Sequence, residues 1–545
     1  VKRPLKWLIV AVAALVVVVV AALVAVPYLV DTPRVQAIIA SNASQALGRP
    51  VKFRSMSITV LPLPAVTLHG LEIAEDPQFG TEPFLKLDTG TVGLKLLPLL
   101  GGRVELGAVT LKKPIITVIQ AADGRMNIST LGSGARERPS ETKPGERSPR
   151  GGAGAGPGAA ATLVSKITID GGAVAYISHA KGGATSQYHL GDLDATLTGG
   201  GPQIGFKSTF KVKPGDLAVK VSDGQLALNG AKALTDAQLR GAVTIDGKDI
   251  GDLVKNALGP SPAFGGALSG KLALSGTLGA PAVAGDIEIS KPSVTQMQPT
   301  CPDPKQRTLT LGTLKLNAGY RDQALSARPM TTSLGNGAIA GQLALSLAPG
   351  LRTQITDLGI KGLPLEKVLV DYLCEGYAIT GPLDLTGGAA FSAADVWHTL
   401  SGPGTLRIGP GKVVGRQALA LLGNVVRVGG AVSALLNNEL PNLGESPLEY
   451  DSITGTYQIV NGVLTTRDLL YTSRPMKIGV AGSYGLATQI MDLDLTISHA
   501  RGQIKAKVTG NAASPSIRVN PATILRDVDR GQVEKGLGDL LKKIR

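Results

Sequence analysis

Five histidines, two cysteines and a few spaced carboxylates are the residues of this 545-residue chain that could carry chemistry. A zinc site or a general-base site needs its groups at defined spacing, such as two histidines one helical turn apart. His69, His179, His189, His398 and His499 are scattered, and none has a second ligand at such spacing. Asp492 and Asp494 alternate with Leu493 and Leu495, which is the pattern of a strand with one wet face rather than of an acid–base pair. The glycine-rich stretch from Gly265 to Gly270 lacks the lysine and the strand-to-helix setting of a phosphate-binding loop. No G-x-S-x-G nucleophile elbow occurs. These absences argue against an enzyme, and neither a metal nor a cofactor is expected. Cys301 and Cys374 are the only thiols, which suits an oxidising compartment. Sequence leaves them open: a disulfide across the intervening loop, or two buried free thiols.

The elements that would position any site begin with a membrane anchor. Leu8 to Val26 is nineteen uncharged, almost wholly aliphatic residues, entered through Lys2, Arg3, Lys6 and Trp7. At ~1.5 Å rise per residue the run covers about 28 Å, close to the roughly 30 Å hydrocarbon core of a bilayer, and predicts a transmembrane helix over residues 8–26. The rival, a cleaved signal peptide, normally has a shorter apolar run followed by a small-x-small site. Basic residues precede the span and the first acid, Asp31, follows it, so the N-terminus is expected in the cytoplasm and the body outside.

The body is unusual in composition. Glycine contributes 70 residues while Phe, Trp and Tyr together make 3%, so a thick aromatic core is not available and many short elements broken by turns are expected. The net charge of +14 comes from dispersed Lys and Arg without aromatic interleaving, which argues against nucleic acid. After residues 1–30 (stub and anchor), residues 31–131 read as a short amphipathic helix followed by strands. Residues 132–161, rich in Gly, Pro, Arg and Glu, read as a flexible linker or loop. Residues 162–521 alternate on a two-residue period and predict a long antiparallel β body. It is interrupted by helical stretches at Ile250–Leu258, Leu365–Tyr372 and Gln417–Leu436. Residues 522–545 predict a basic amphipathic helix that closes the sheet or lies on a membrane.

Alternation assigns an inward aliphatic face. Leu272, Leu274, Ile287, Ile289, Leu314 and Leu316 are candidates to line it. Leu343, Leu345, Leu493 and Leu495 extend the set. The fold class expected is therefore mainly β: a transmembrane helix, then an elongated, curled antiparallel sheet forming an apolar groove, with a few short helices. A groove lined with Leu, Ile and Val can hold an acyl tail, at about 0.8 kcal/mol per methylene kept from water. The same periodicity also describes a sheet closed on a filled core with a scaffolding role.

Several motifs add to this. Tyr28-Leu29-Val30-Asp31, Leu47-Gly48-Arg49-Pro50-Val51, Leu61-Pro62-Leu63-Pro64 and Glu75-Asp76-Pro77 with Phe79-Gly80 occur in order. Pro83-Phe84-Leu85, Leu97-Pro98-Leu99-Leu100, Lys113-Pro114, and Asp123-Gly124-Arg125 with Asn127 follow them. Together they resemble the AsmA family of Gram-negative envelope proteins over residues 28–131. The far half is similar more weakly, through Leu400-Ser401-Gly402, Gly411-Lys412-Val413, Val508-Thr509-Gly510 and Ser514-Pro515. The resemblance implies an inner-membrane anchor and a periplasmic body like those of bridge-like lipid-transfer proteins. It also implies phospholipid as cargo moving toward the outer membrane. About 30 to 35 strands at ~4.8 Å would make a sheet on the order of 150 Å, marginal for crossing an envelope, so an outer-membrane or periplasmic protein partner at the far end, or a shuttle-like role, is expected. A function of another class, an assembly factor offering strand edges to outer-membrane protein clients, stands beside it.

Overall fold

The computed structural model describes residues 33–59, 63–94, 106–131, 165–179, 185–199, 202–231, 233–348, 350–420, 448–474, 476–499 and 502–519. The predicted span 8–26, the linker 132–161, most of the segment Gln417–Leu436 and the tail 522–545 lie outside these residues. Among the described residues no helix is long and apolar enough to cross a membrane.

The protein is mainly β. Twenty-six strands belong to a mixed, mostly antiparallel sheet, and two further short strands, Gly411–Val413 and Leu448–Tyr450, pair with each other. Among the described residues helices are few and short, including Pro33–Leu47, Gly251–Leu258 and Val396–Thr399, with a wide helical turn at Glu366–Val370. The chain divides into two compact units, Val1–Lys248 with Ser269–Gly285, and Asp249–Leu268 with Asp286–Arg545.

In the first unit the helix Pro33–Leu47 ends at Gly48, whose φ of 70° is the left-handed conformation that glycine adopts without a Cβ penalty. Ala43 and Leu47 pack on Val51, Ile73 and Leu85 of the strands that follow. The expectation of a purely antiparallel sheet is corrected here. Leu106–Lys112 and Ile115–Gln120 both pair in parallel with the 14-residue strand Lys166–His179, one along each half of it. The reason is topological: Lys166 starts opposite Ala108, at the beginning of the first of these strands, and a parallel pair cannot be joined by a hairpin. The junction is the tight corner Lys113-Pro114, where Lys113 N donates to Asp170 O at 2.8 Å. A Cβ on Gly172 would stand 3.1 Å from Pro114 Cγ. From Lys166 onward, antiparallel hairpins continue the unit.

The second unit is antiparallel throughout its recorded pairings, from Gln306–Thr310 to Ser516–Val519. Many strands carry a bulge, and several bulges hold a residue at positive φ: Asp192 at 53° and Asp223 at 50° in the first unit, Asp357 at 51° in the second. Each bulge bends its strand and adds local twist.

Candidate functional site

Cross-strand register turns the alternating sequence into two rows on opposite faces of the first unit. Ile58 stands opposite Val66, Val66 opposite Val92, Val92 opposite Val109, Val109 opposite Ile167, Ile167 opposite Leu197, and Leu197 opposite Phe206. One apolar side chain per strand thus crosses seven strands, and all seven are only half-buried. One residue away on the same strands runs Ser57, Thr67, Thr91, Thr110, Thr168, Thr196 and Lys207. Successive residues of a strand point to opposite faces, so the first row is the apolar face and the second the hydroxyl face. Thr67 and Thr91 already share a hydroxyl–hydroxyl contact of 3.4 Å. Half-exposure of a continuous apolar row is not the ordinary end state of a core, where such side chains are enclosed.

The second unit shows the enclosed state. Leu363, Leu383, Ile408, Ile453, Tyr471, Ile478, Ile497 and Ile504 lie opposite one another in sequence across eight strands, each under 10% exposed. A cap covers them: Leu365, Val413 and Ala418 are buried in the same cluster, with Val368, Leu369 and Tyr377 packed against it, and Tyr372 and Ala378 of the same stretch are buried as well. The cap is pinned. Cys301 and Cys374 form a disulfide with Cα atoms 5.3 Å apart, and Thr300 Oγ1 donates to Leu373 O at 3.4 Å. Tyr377 Oη donates to Ala512 O at 2.5 Å, and Tyr450 Oη to Thr380 O. Burial, then the neighbouring Tyr471 and Glu366, pushes the Tyr450 phenol up to about 12. Away from the cap the same face opens by degrees. Ile339 packs against the cluster, Leu343 and Leu345 are half-buried, and Leu347 is 42% exposed.

The residues read from sequence as lining do not converge on one point. In the first unit Leu272 and Leu274 are half-buried between exposed Lys271, Ala273 and Ser275, with Leu274 against a small cluster around Leu226 and Leu239. In the second unit Ile287, Ile289, Leu314 and Leu316 alternate with exposed polar neighbours. Leu493 is half-buried, whereas Leu495 is 7% exposed inside the capped cluster. Asp492 and Asp494 lie on the wet face, both within reach of Lys507 Nζ at 2.8 and 3.4 Å.

Sequence reasoning missed one constellation that joins four of the quoted motifs. Arg49 Nη1 meets Glu75 Oε1 at 2.9 Å, and Arg49 Nη2 donates to Asn127 O at 2.5 Å and to Thr130 Oγ1 at 2.8 Å. Asn127 Nδ2 donates to Glu75 Oε2 at 2.5 Å and to Thr117 O at 2.8 Å, while its Oδ1 accepts from Ile119 N. The guanidinium lies 5.0 Å from the centroid of the Phe84 ring. Burial pulls the Arg49 pKa down, and the carboxylates of Glu75 and Asp76 push back. The arrangement is a closed lock without room for a substrate. Its only signal in the sequence was an arginine and a glutamate inside otherwise apolar or turn-forming motifs.

Among the described residues no group of three or more His, Cys, Asp or Glu could hold a metal ion. His179, His189 and His398 are exposed, and His398 Nδ1 pairs with Asp395 Oδ1 at 2.8 Å. In comparisons with known proteins, the AsmA family matches residues 1–356. No curated protein and no solved structure matches the chain.

Proposed function

The chain belongs to the AsmA family, a non-enzymatic family of envelope proteins linked to outer-membrane lipid homeostasis, and from that premise we propose that it binds and conducts phospholipid. The observation that carries the reading is the half-buried row from Ile58 to Phe206, an apolar track one side chain wide per strand with a row of hydroxyls ending in Lys207 on the reverse face. Strands lie ~4.8 Å apart, so successive side chains of the row meet an acyl tail every four methylenes or so. Each methylene withdrawn from water contributes about 0.8 kcal/mol, enough over a tail to retain it while the head group stays wet. No bond is made or broken. The protein would be held in the inner membrane by residues 8–26, with its body in the periplasm and lipid passing toward the outer membrane, where a partner receives it.

Mass spectrometry of lipids co-purified with the full chain tests this. Phospholipid in stoichiometric amount is expected, and it should be lost in Ile167→Asp, because an unpaired carboxylate in an apolar track is costly to desolvate. Thr168→Asp, on the reverse face, should keep its lipid. Absence of lipid from the parent protein would instead favour a filled scaffold.

A further inference from the structure

One exposed apolar cluster lies on the opposite face from the aliphatic surface. In the second unit Val460 pairs with Val463, Val463 with Gly485, and Tyr484 with Met491, which sets Ile490 beside the side-chain-free Gly485. Ile459, Leu464 and Met491 alternate with these residues and turn inward, so Val460, Val463 and Ile490 project from the polar face at the rim of the sheet. The helical turn Val396–Thr399 is docked on the same corner: Gly462 N donates to Leu400 O at 2.8 Å and Asn461 N to Ser401 Oγ at 3.0 Å. That turn holds Trp397 outward. Exposure is 59% for Trp397, 54% for Val460, 43% for Val463 and 56% for Ile490.

Charge selects the occupant. The rim loops Val460–Val463, Gly485–Ile490 and Asn511–Ser516 contain no charged residue, and Asp395 beside Trp397 is paired with His398. An exposed cation, Arg352, stands opposite Ser392 at the base of the Trp397 loop. The interfacial zone of a bilayer accepts an indole, amides and hydroxyls and disfavours carboxylates, with cations toward the phosphates. A stable protein interface needs roughly 800 Å² per partner, more than the few hundred Å² that four side chains present. We propose that this corner is a contact site for a phospholipid bilayer, with Trp397, Val460, Val463 and Ile490 seated among the head groups and Arg352 facing the phosphate layer.

The chain has two tryptophans, so Trp7→Phe leaves Trp397 as the sole indole. The full chain carrying that change is placed in phosphatidylcholine vesicles with and without acyl-chain bromine, and Trp397 emission is read. Quenching by the brominated lipid is expected, with its loss in Val463→Asp. Emission equal in the two vesicles, or quenching that persists unchanged in Val463→Asp, overturns the proposal. Quenching must also survive in Ile167→Asp. If it vanishes there, lipid held in the track is what reaches Trp397, and the bilayer contact is refuted while the transport reading stands.

Discussion

Arg49 and Glu75 face each other at 2.9 Å with side chains 3% and 0% exposed, one just after the first helix and the other just after a strand twenty-odd residues on. Two charges taken out of water are tolerable only while each keeps the other; Asn127 hydrogen-bonds to both, and Arg49 Nε is left without a hydrogen-bond partner among the described residues. Arg49→Met should therefore destabilise the first unit by about 3–5 kcal/mol. In urea unfolding followed by circular dichroism, Arg49→Met with Glu75→Leu should recover much of that loss. A double variant no better than the single one would show that the ion pair is not what holds the module.

Tyr450 predicts an alkaline limit. Its phenol is pushed up to about 12, mainly by burial, whereas an unfolded tyrosine ionises near 10. Below pH ~10 both states hold the proton and the full stability is present. As pH rises through that range toward 12 only the unfolded chain releases it, and up to about 3 kcal/mol is lost. Denaturant midpoints taken between pH 9 and 12 should fall steeply in the parent and less steeply in Tyr450→Phe.

Removing the Cys301–Cys374 bridge, 73 residues apart, should cost about 4 kcal/mol by loop-closure entropy. Because the bridge pins the cap over Leu363 and Leu383, Cys301→Ser with Cys374→Ser should lower the melting temperature. It should also raise binding of an apolar dye. An unchanged melting temperature would mean the packed side chains hold the cap without it.

Leu345 and Ser346 are consecutive and point to opposite faces, Leu345 opposite Leu325 and Ser346 opposite Ala324. Photo-crosslinkers placed at the two positions should capture phospholipid at 345 and little at 346. Equal capture, or none, would remove the apolar face of the second unit from the lipid path.

Much of this was legible before any coordinates. A period of two marks faces, and the rows through Val109, Ile167 and Leu197 follow once register is known. What covers a face is not in the period. Leu493 and Leu495 read identically, yet one is half-buried and the other enclosed, because enclosure depends on a cap that begins more than a hundred residues earlier at Leu365. The parallel pairing was hidden for the same kind of reason: strand order is set by where the crossover returns. Glu75 and Asn127 find Arg49 over separations of 26 and 78 residues, beyond any local pattern.

The parallel pairing has a consequence for biosynthesis. Leu106–Lys112 and Ile115–Gln120 have no neighbour on one side until Lys166–His179 has been made. An unpaired strand edge is a template for other chains. Synthesis runs at ~5–20 residues per second, so the nascent chain carries that open edge for several seconds. High contact order at this one junction then makes it the slow step of the first unit, and the point at which a holding chaperone would matter most.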